Sequence, residues 1–348
     1  MNWIETLTDA FAWVQQWLFE SWLEPLMFAL GLAQYLEQGY AAMAWLLVGI
    51  LQIMVLLAVI GPLERWRPVE QIKDRKAVRT DVIYTLAHRL GLFRIGLFFT
   101  VTPLFDALFS HLRVAGVGTA HLDALWPGVT DIPWVTLLMY MVALDFVNYW
   151  VHRAQHQWEP WWALHALHHS QRQLTMWSDN RNHLLDDLIH SSVLVLVAQL
   201  IGVEPGQFVL IVALTQLSES LQHANIRLWF GPVGERLWIS PRFHRLHHAV
   251  GIGHEWPVLS GQSHPSTLLG GANFGVLLPW WDMLFGTASF EKRWEPTGIR
   301  DQVQAGADGS VRDYGSGFWS QQWLGLCRLC SACRHHALRR RANIGKLD

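Results

Sequence analysis

The sequence predicts an all-α fold: an integral-membrane helical bundle of about four spans with a two-metal site at the cytosolic ends of its helices. Three observations predict it. Of 348 residues, 51% are hydrophobic and only 16% charged, with 21 tryptophans, the composition of a bilayer-embedded chain with indoles at the headgroup level. Several uncharged runs approach the length needed to cross hydrocarbon. Eleven of the 18 histidines lie between positions 152 and 248, beside the ends of such runs.

Composition also excludes alternatives. A net charge of -2 leaves no dominant basic surface for nucleic acid. The three cysteines crowd into Cys327, Cys330 and Cys333, so there is no spread, even-numbered disulfide framework. The N-terminus MNWIETLTDAF lacks the basic region of a secretory signal.

The chain divides into an amphipathic, interfacial segment (1–40), a membrane-bound catalytic domain (41–288) and a cytosolic basic tail (289–348). In the first segment Trp3, Phe11, Trp13, Trp17, Leu18 and Trp22 recur at helical spacing among acidic residues. Ala41–Ile60 carries no charge and is the clearest span. The loop after it holds Arg65, Arg67, Lys73, Arg75, Lys76 and Arg79, which places it in the cytoplasm. A second span, Ile95–Leu112, contains Pro103 and should kink there. A third, Pro133–Trp150, returns from an outer loop, so His152 emerges at the cytoplasmic end. Leu188–Ile201 and Phe208–Leu221, broken by GVEPGQ, form either a re-entrant hairpin or two full spans; both bring His223 back to the same face. The last stretch is basic, with Arg334, Arg339, Arg340, Arg341 and Lys346.

Histidine spacing carries the chemistry. His152 and His156, four apart, share a helix face. His165 shares a face with both His168 and His169, while the adjacent pair diverges by about 100° and can serve two neighbouring ions. His244, His247 and His248 repeat the pattern. At this histidine content chance gives about 0.05 H-x-x-H-H patterns per chain, and two are present. Eight imidazoles exceed one tetrahedral or octahedral site, so the count asks for two metals. His223 (in QHAN) and His183 (in RNH) are further candidates; His190, His254 and His264 follow them, while His88, His111 and His121 lie outside the cluster.

Imidazole alone suits zinc, copper, iron or nickel. A hydrolytic zinc site needs three ligands, an open position and usually a carboxylate base. Eight or more histidines around two metals at a membrane fit dioxygen chemistry better: a di-iron centre that attacks a lipid C–H bond with two external electrons. Partners for the ring N–H groups are expected among Asp145, Asp186, Asp187, Glu219, Asn225 and Asp282, with Glu219 alternatively a direct ligand. CRLCSACRHH, ending in His335 and His336, reads either as a zinc site or as a membrane-surface tail with incidental thiols.

DFVNYWVHRAQH (145–156), WALHALHHS (162–170), QHAN (222–225), PRFHRLHH (241–248), ANFG (272–275) and WDMLFGT (281–287) together resemble the fatty acid hydroxylase/sterol desaturase superfamily of integral-membrane di-iron enzymes. The resemblance covers about 140 residues in the family's order. It implies a helical membrane bundle with a cytosolic helical cap that carries the dimetal site, and metal ligation by His152, His156, His165, His168, His169, His223, His244, His247 and His248. His183 stands where many members carry a further histidine, usually before proline; here Leu184 follows. The resemblance implies two iron ions, replaceable by zinc in a purified sample, and dioxygen as co-substrate. It also implies a lipid substrate (fatty acyl, sterol-like or related) reached from the bilayer. No cytochrome domain is fused to the chain, so a separate donor is expected: a ferredoxin, a cytochrome b5-like protein or a reductase. The segment between His248 and Ala272, with His254 and His264, is longer than usual and should shape the substrate mouth. The tail from Phe290 resembles a bacterial branch, which implies an inner-membrane protein with its metals on the cytoplasmic face. Hydroxylation is the leading expectation. Desaturation shares its first hydrogen abstraction, and a non-redox zinc hydrolase or scaffold is the alternative from another class.

Overall fold

Helices form every regular element of the computed structural model, which describes residues 3–251, 271–305 and 309–344. Among these residues the only β-type pairing is an isolated bridge between Ala249 and Thr297. His254, His264 and Lys346, and the side chains of His335, His336, Arg339, Arg340 and Arg341, lie outside the described residues.

Helix α1 (Trp3–Leu18) opens the chain. Trp13, Trp17 and Trp22 are exposed there and just beyond. After α2 (Glu24–Ala29), α3 (Leu36–Val55) continues through a π-helical turn at Leu56–Ile60 into α4 (Gly61–Trp66). The apolar rod Ala33–Trp66 is therefore longer than the expected Ala41–Ile60. That rod and α8 (Pro133–Gln157) are the two described helices long and apolar enough to cross a membrane.

The expected span Ile95–Leu112 is broken rather than bent. It forms α6 (Leu92–Thr100) and α7 (Thr102–Val114), each too short to cross. Pro103 causes the break: it sits in the first turn of α7, where its missing N–H costs nothing. Before them α5 (Arg75–Arg89) starts at Asp74, whose carboxylate accepts from the N–H groups of Lys76 and Ala77.

α8 runs about two turns beyond the expected Trp150, so His152 and His156 ride on its last turns. Trp158, in extended conformation, breaks it from α9 (Glu159–His169), which begins with Pro160 in its first turn. α10 (Leu184–Leu200) and α11 (Pro205–His223) are two successive helices, as both expected arrangements require, and the chain turns between them at Gly202 with a φ of +80°. The rest is short: α12 (Gly231–Gly234), α13 (Pro241–His247), α14 (Trp280–Leu284) and α15 (Arg300–Val303), then the long α16 (Phe318–Ile344).

Tyr140, Met141 and Leu144 of α8 pack against Ala198 and Ile211 of the hairpin and against Leu277 and Leu278. Each such buried side chain contributes up to ~1.5–3 kcal/mol. Leu56 and Ile60 close the other flank against Met176, Ala224 and Ile226. Gly49 lets α3 and α5 touch, since a Cβ there would lie 1.7 Å from the Arg89 carbonyl oxygen.

The C-terminal helix belongs to the layer around the histidines. Arg328 Nε donates to Ala163 O of α9 at 3.1 Å, and Gln322 Nε2 donates to Tyr84 OH of α5 at 2.9 Å. Cys327, Cys330 and Cys333 are free thiols on its exposed side.

Candidate metal centre

Four helices, α8, α9, α11 and α13, end on the same small volume, and each delivers imidazoles from its last turns. The donors form two sets. His152, His156, His169 and His247 make one; His168, His223, His244 and His248 make the other. Within each set the donor atoms lie within 4.8 Å of one another, and all eight residues are buried. The adjacent pairs His168/His169 and His247/His248 split between the sets, as their divergence around the helix demands.

The spacings are those of ligands around an ion. His152 Nε2 and His247 Nε2 are 3.0 Å apart. In the second set the Nε2 separations are 3.2 Å for His168–His223, 3.1 Å for His223–His244 and 3.2 Å for His244–His248. Neighbouring nitrogens at the ~2.0–2.1 Å bond length of a zinc-type ion are roughly 2.9–3.4 Å apart in octahedral or tetrahedral geometry.

Tautomers exclude simple hydrogen bonding for the closest pair. His152 Nδ1 is 2.8 Å from Phe274 O, and His247 Nδ1 is 2.7 Å from Ala272 O. A carbonyl only accepts, so in a neutral ring each Nδ1 carries the proton and each Nε2 presents a lone pair. Two lone pairs then face each other at 3.0 Å. A cation between them resolves that repulsion. His223 is oriented the same way, its Nδ1 donating to Glu219 O at 2.8 Å.

His165 lies between the sets. Its ring centroid is 5.2 Å from that of His152, 5.1 Å from His156, 5.3 Å from His168 and 5.1 Å from His169. Nδ1 donates to Asp186 Oδ2 at 3.0 Å, while the buried Nε2 has no hydrogen-bond partner among the described residues. Asp186 also accepts from Gln155 Nε2 and Trp161 Nε1, each at 2.7 Å. Burial pushes the Asp186 carboxyl up, but the hydrogen bond from His165 and the other donors outweigh it and hold the pKa below 3.8. That is a carboxylate–imidazole arm of the kind that orients a metal ligand.

The other expected carboxylates act one step further out. Asp145 accepts from the N–H groups of Leu277 at 2.8 Å and Leu278 at 3.2 Å and from Trp281 Nε1 at 2.9 Å. Asp282 accepts from Phe274 N at 2.8 Å and Gly275 N at 2.7 Å. Both pin the 272–278 loop, whose carbonyls orient His152 and His247; neither touches a ring. Gly275 is required there, because a Cβ would fall 2.8 Å from Asp282 Oδ2. Asn225 Oδ1 accepts from Val69 N and Glu70 N, and Asp187 takes His88 Nε2 at 2.8 Å, so neither contacts the histidine sets. Glu219 serves His223 through its backbone carbonyl.

His183 is not brought to either set. It begins α10, with Nδ1 accepting from Leu185 N at 3.1 Å and Nε2 placed 2.9 Å from Gln322 O, so both ring nitrogens are occupied. The cysteines are in neither set.

Burial, followed by neighbouring imidazoles, holds the pKa values of His168, His169, His244 and His248 well below 6.5. These rings are neutral at pH 7, the form that binds metal. A cavity of about 60 Å³ borders the sets on the hairpin side, lined by His168, His223, Glu219, Asn148 and His190 among others. His190 Nε2 is 2.8 Å from Asn148 Oδ1, a pair that sequence spacing did not single out.

Residues 137–287 match the fatty acid hydroxylase family. The ornithine lipid hydroxylase OlsE of Rhizobium tropici is 27% identical over 66% of this chain and 64% of its own length. An alkylglycerol monooxygenase of Caenorhabditis elegans is 24% identical over 48% of this chain and 29% of its own. The fatty acid hydroxylase vlmA of a Lecanicillium species is 25% identical over 48% and 45%. The chain thus spans less than two thirds of each of these relatives. No solved structure matches it.

Proposed function

Because the chain belongs to the fatty acid hydroxylase/sterol desaturase superfamily, we propose that it is a membrane-bound oxygenase that hydroxylates a C–H bond of a lipid. The reaction is R–H + O2 + 2 e⁻ + 2 H⁺ → R–OH + H2O. The facing lone pairs of His152 and His247, repeated as a second four-imidazole set alongside, are the observation that carries the reading.

The donor set fits a pair of iron ions. Every donor is an imidazole nitrogen, with no thiolate to favour a closed structural zinc site. In this reading His152, His156, His169 and His247 hold one ion and His168, His223, His244 and His248 the other. His165, oriented by Asp186, presents its Nε2 between them. A bound iron pair would supply dioxygen activation and abstraction of the substrate hydrogen. The protein's part is to keep the rings neutral and fixed and to exclude bulk water. Burial does the first and last of these; the 272–278 carbonyls and Asp186 do the second. Asn148, His190 and Glu219 line the small cavity on the hairpin side, where the lipid C–H bond would sit.

OlsE and the alkylglycerol monooxygenase, by name, act on polar lipids, so an ornithine-containing lipid is the first substrate to try. In this reading the metals face the cytoplasm, which the basic loop from Arg65 to Arg79 supports by the positive-inside rule. The test is mass spectrometry of lipid extracts from a deletion strain, its parent and a strain complemented with His247→Ala. Gain of one oxygen in one lipid class, present only in the parent, is the expected result. Loss of two hydrogens instead would identify a desaturase. Zinc-loaded protein that never takes up oxygen with an added reductant would favour a hydrolase or scaffold.

A further inference from the structure

Hydroxylation consumes two electrons, and the eight histidines of the two sets are too deeply buried for a donor to touch the metals directly. A path for electrons must therefore begin at a surface close to one ligand. Among the described residues, one such surface has a distinctive charge. An open groove of about 710 Å³ lies between the start of α5 and the segment after α9, with Ser170, the residue following His169, in its wall.

The groove and its rim are basic. Lys73, Lys76 and Arg172 line it, and all three are exposed; Arg75 and Arg79 stand exposed beside them on α5. Of the carboxylates lining it, Glu70 is paired with Arg245 at 2.8 Å, and Asp74 caps α5. Arg181, also in the wall, is paired with Asp81. The uncompensated charge is therefore cationic. The loop is also held in register with the site: Gln173 Oε1 accepts from Lys73 N at 2.8 Å and Asp74 N at 3.2 Å. Gln302 Nε2 grips Ser170 O at 3.0 Å from the other side.

One stretch of chain separates this groove from the inner cavity. Arg181 faces the groove, whereas Asp179 and Asn182 line the cavity on the hairpin side. The same stretch thus contributes to both walls, and of the two openings the inner one is lined by histidines, which leaves it for lipid.

We propose that the basic groove is the docking site of the electron donor, and that the donor is an acidic one-electron carrier protein. Two docking events deliver one electron each, the carrier being oxidised as dioxygen is reduced. Charge complementarity selects the partner and speeds its encounter, an effect that salt screens. The covalent step from Ser170 to His169 links the groove directly to a ligand of the proposed oxygenase centre.

The test uses the full chain in phosphatidylcholine nanodiscs, with a strongly acidic two-iron, two-sulfur ferredoxin as probe. Binding to wild type should be tight at low ionic strength and weaken as salt rises. Lys73→Glu/Lys76→Glu/Arg172→Glu should weaken binding by ~tenfold or more. The same variant should keep wild-type metal content and wild-type oxygen uptake with reduced methyl viologen. Should the reversal misfold, Lys73→Gln/Lys76→Gln/Arg172→Gln should show the same loss in smaller degree. Equal ferredoxin binding by wild type and a metal-replete variant would overturn the docking proposal alone, as would loss of binding to anionic vesicles in its place. No oxygen uptake by metal-replete wild type with methyl viologen would instead bring down the oxygenase reading, and this proposal with it.

Discussion

The two four-histidine sets look alike as lists but differ in how their rings are held. In the first, His152 and His247 are fixed by carbonyls of one loop, and that loop is itself anchored by Asp145 and Asp282. In the second, His223 alone has its Nδ1 on a backbone carbonyl; the buried Nδ1 atoms of His168, His244 and His248 have no partner among the described residues. Groups that orient a ligand's far nitrogen raise its basicity and pre-pay its ordering. The first set should therefore bind its metal more tightly, and the second should be the labile one.

Deleting a ligand is the largest perturbation of that comparison. His247→Ala and His244→Ala should each lower metal content from two ions to one per chain and abolish oxygen-dependent product. Only the first should also loosen the 272–278 loop, read as faster amide exchange there. Chelator challenge comes next. Dialysis against a graded chelator should remove one ion well before the other, and His244→Ala should lack the labile ion while keeping the resistant one.

Outer partners should give smaller effects. Asp186→Asn leaves His165 without its anionic acceptor and should cost roughly 10–100-fold in metal affinity or activity, the usual range for such partners. Asp282→Asn should act on the first set alone, through Phe274 and Gly275, and retain the labile ion's affinity. Acidity should act most broadly and most gently. His168, His169, His244 and His248 have folded pKa values below 6.5, so the unfolded chain binds more protons as pH falls through that value. Metal-free protein should hold full stability above pH 6.5 and lose it progressively below. Thermal unfolding of the apo-protein across pH 5 to 8 measures this.

Much of this site was legible in the residues because helical periodicity is rigid. Spacings of three, four and one residues put His165, His168 and His169 on the faces they occupy, and the split of His168 from His169 follows from geometry alone. What was not legible is contact at long range. Nothing in the spacing of Asp145 says that it grips Leu277 and Leu278, 132 and 133 residues away, rather than His152 on its own helix face. His183 misled for the same reason: only the fold reveals that Gln322, from the C-terminal helix, occupies its ring. The broken helix at Val101 was within reach, since Pro103 fits a first turn better than a bend; the apolar run around it argued for continuity. ANFG was visible as a pattern, yet its use as a carbonyl bracket depends on Asn273 at a φ of 63° and on Asp282.

The account stands on two ions held by two separate sets of imidazoles. Metal analysis with X-ray absorption on iron-replete wild type, His247→Ala and His244→Ala tests this most directly. Two irons per chain in an all-nitrogen protein ligand sphere, falling to one in either variant, is the predicted result. One ion in wild type, or two retained in both variants, would contradict it.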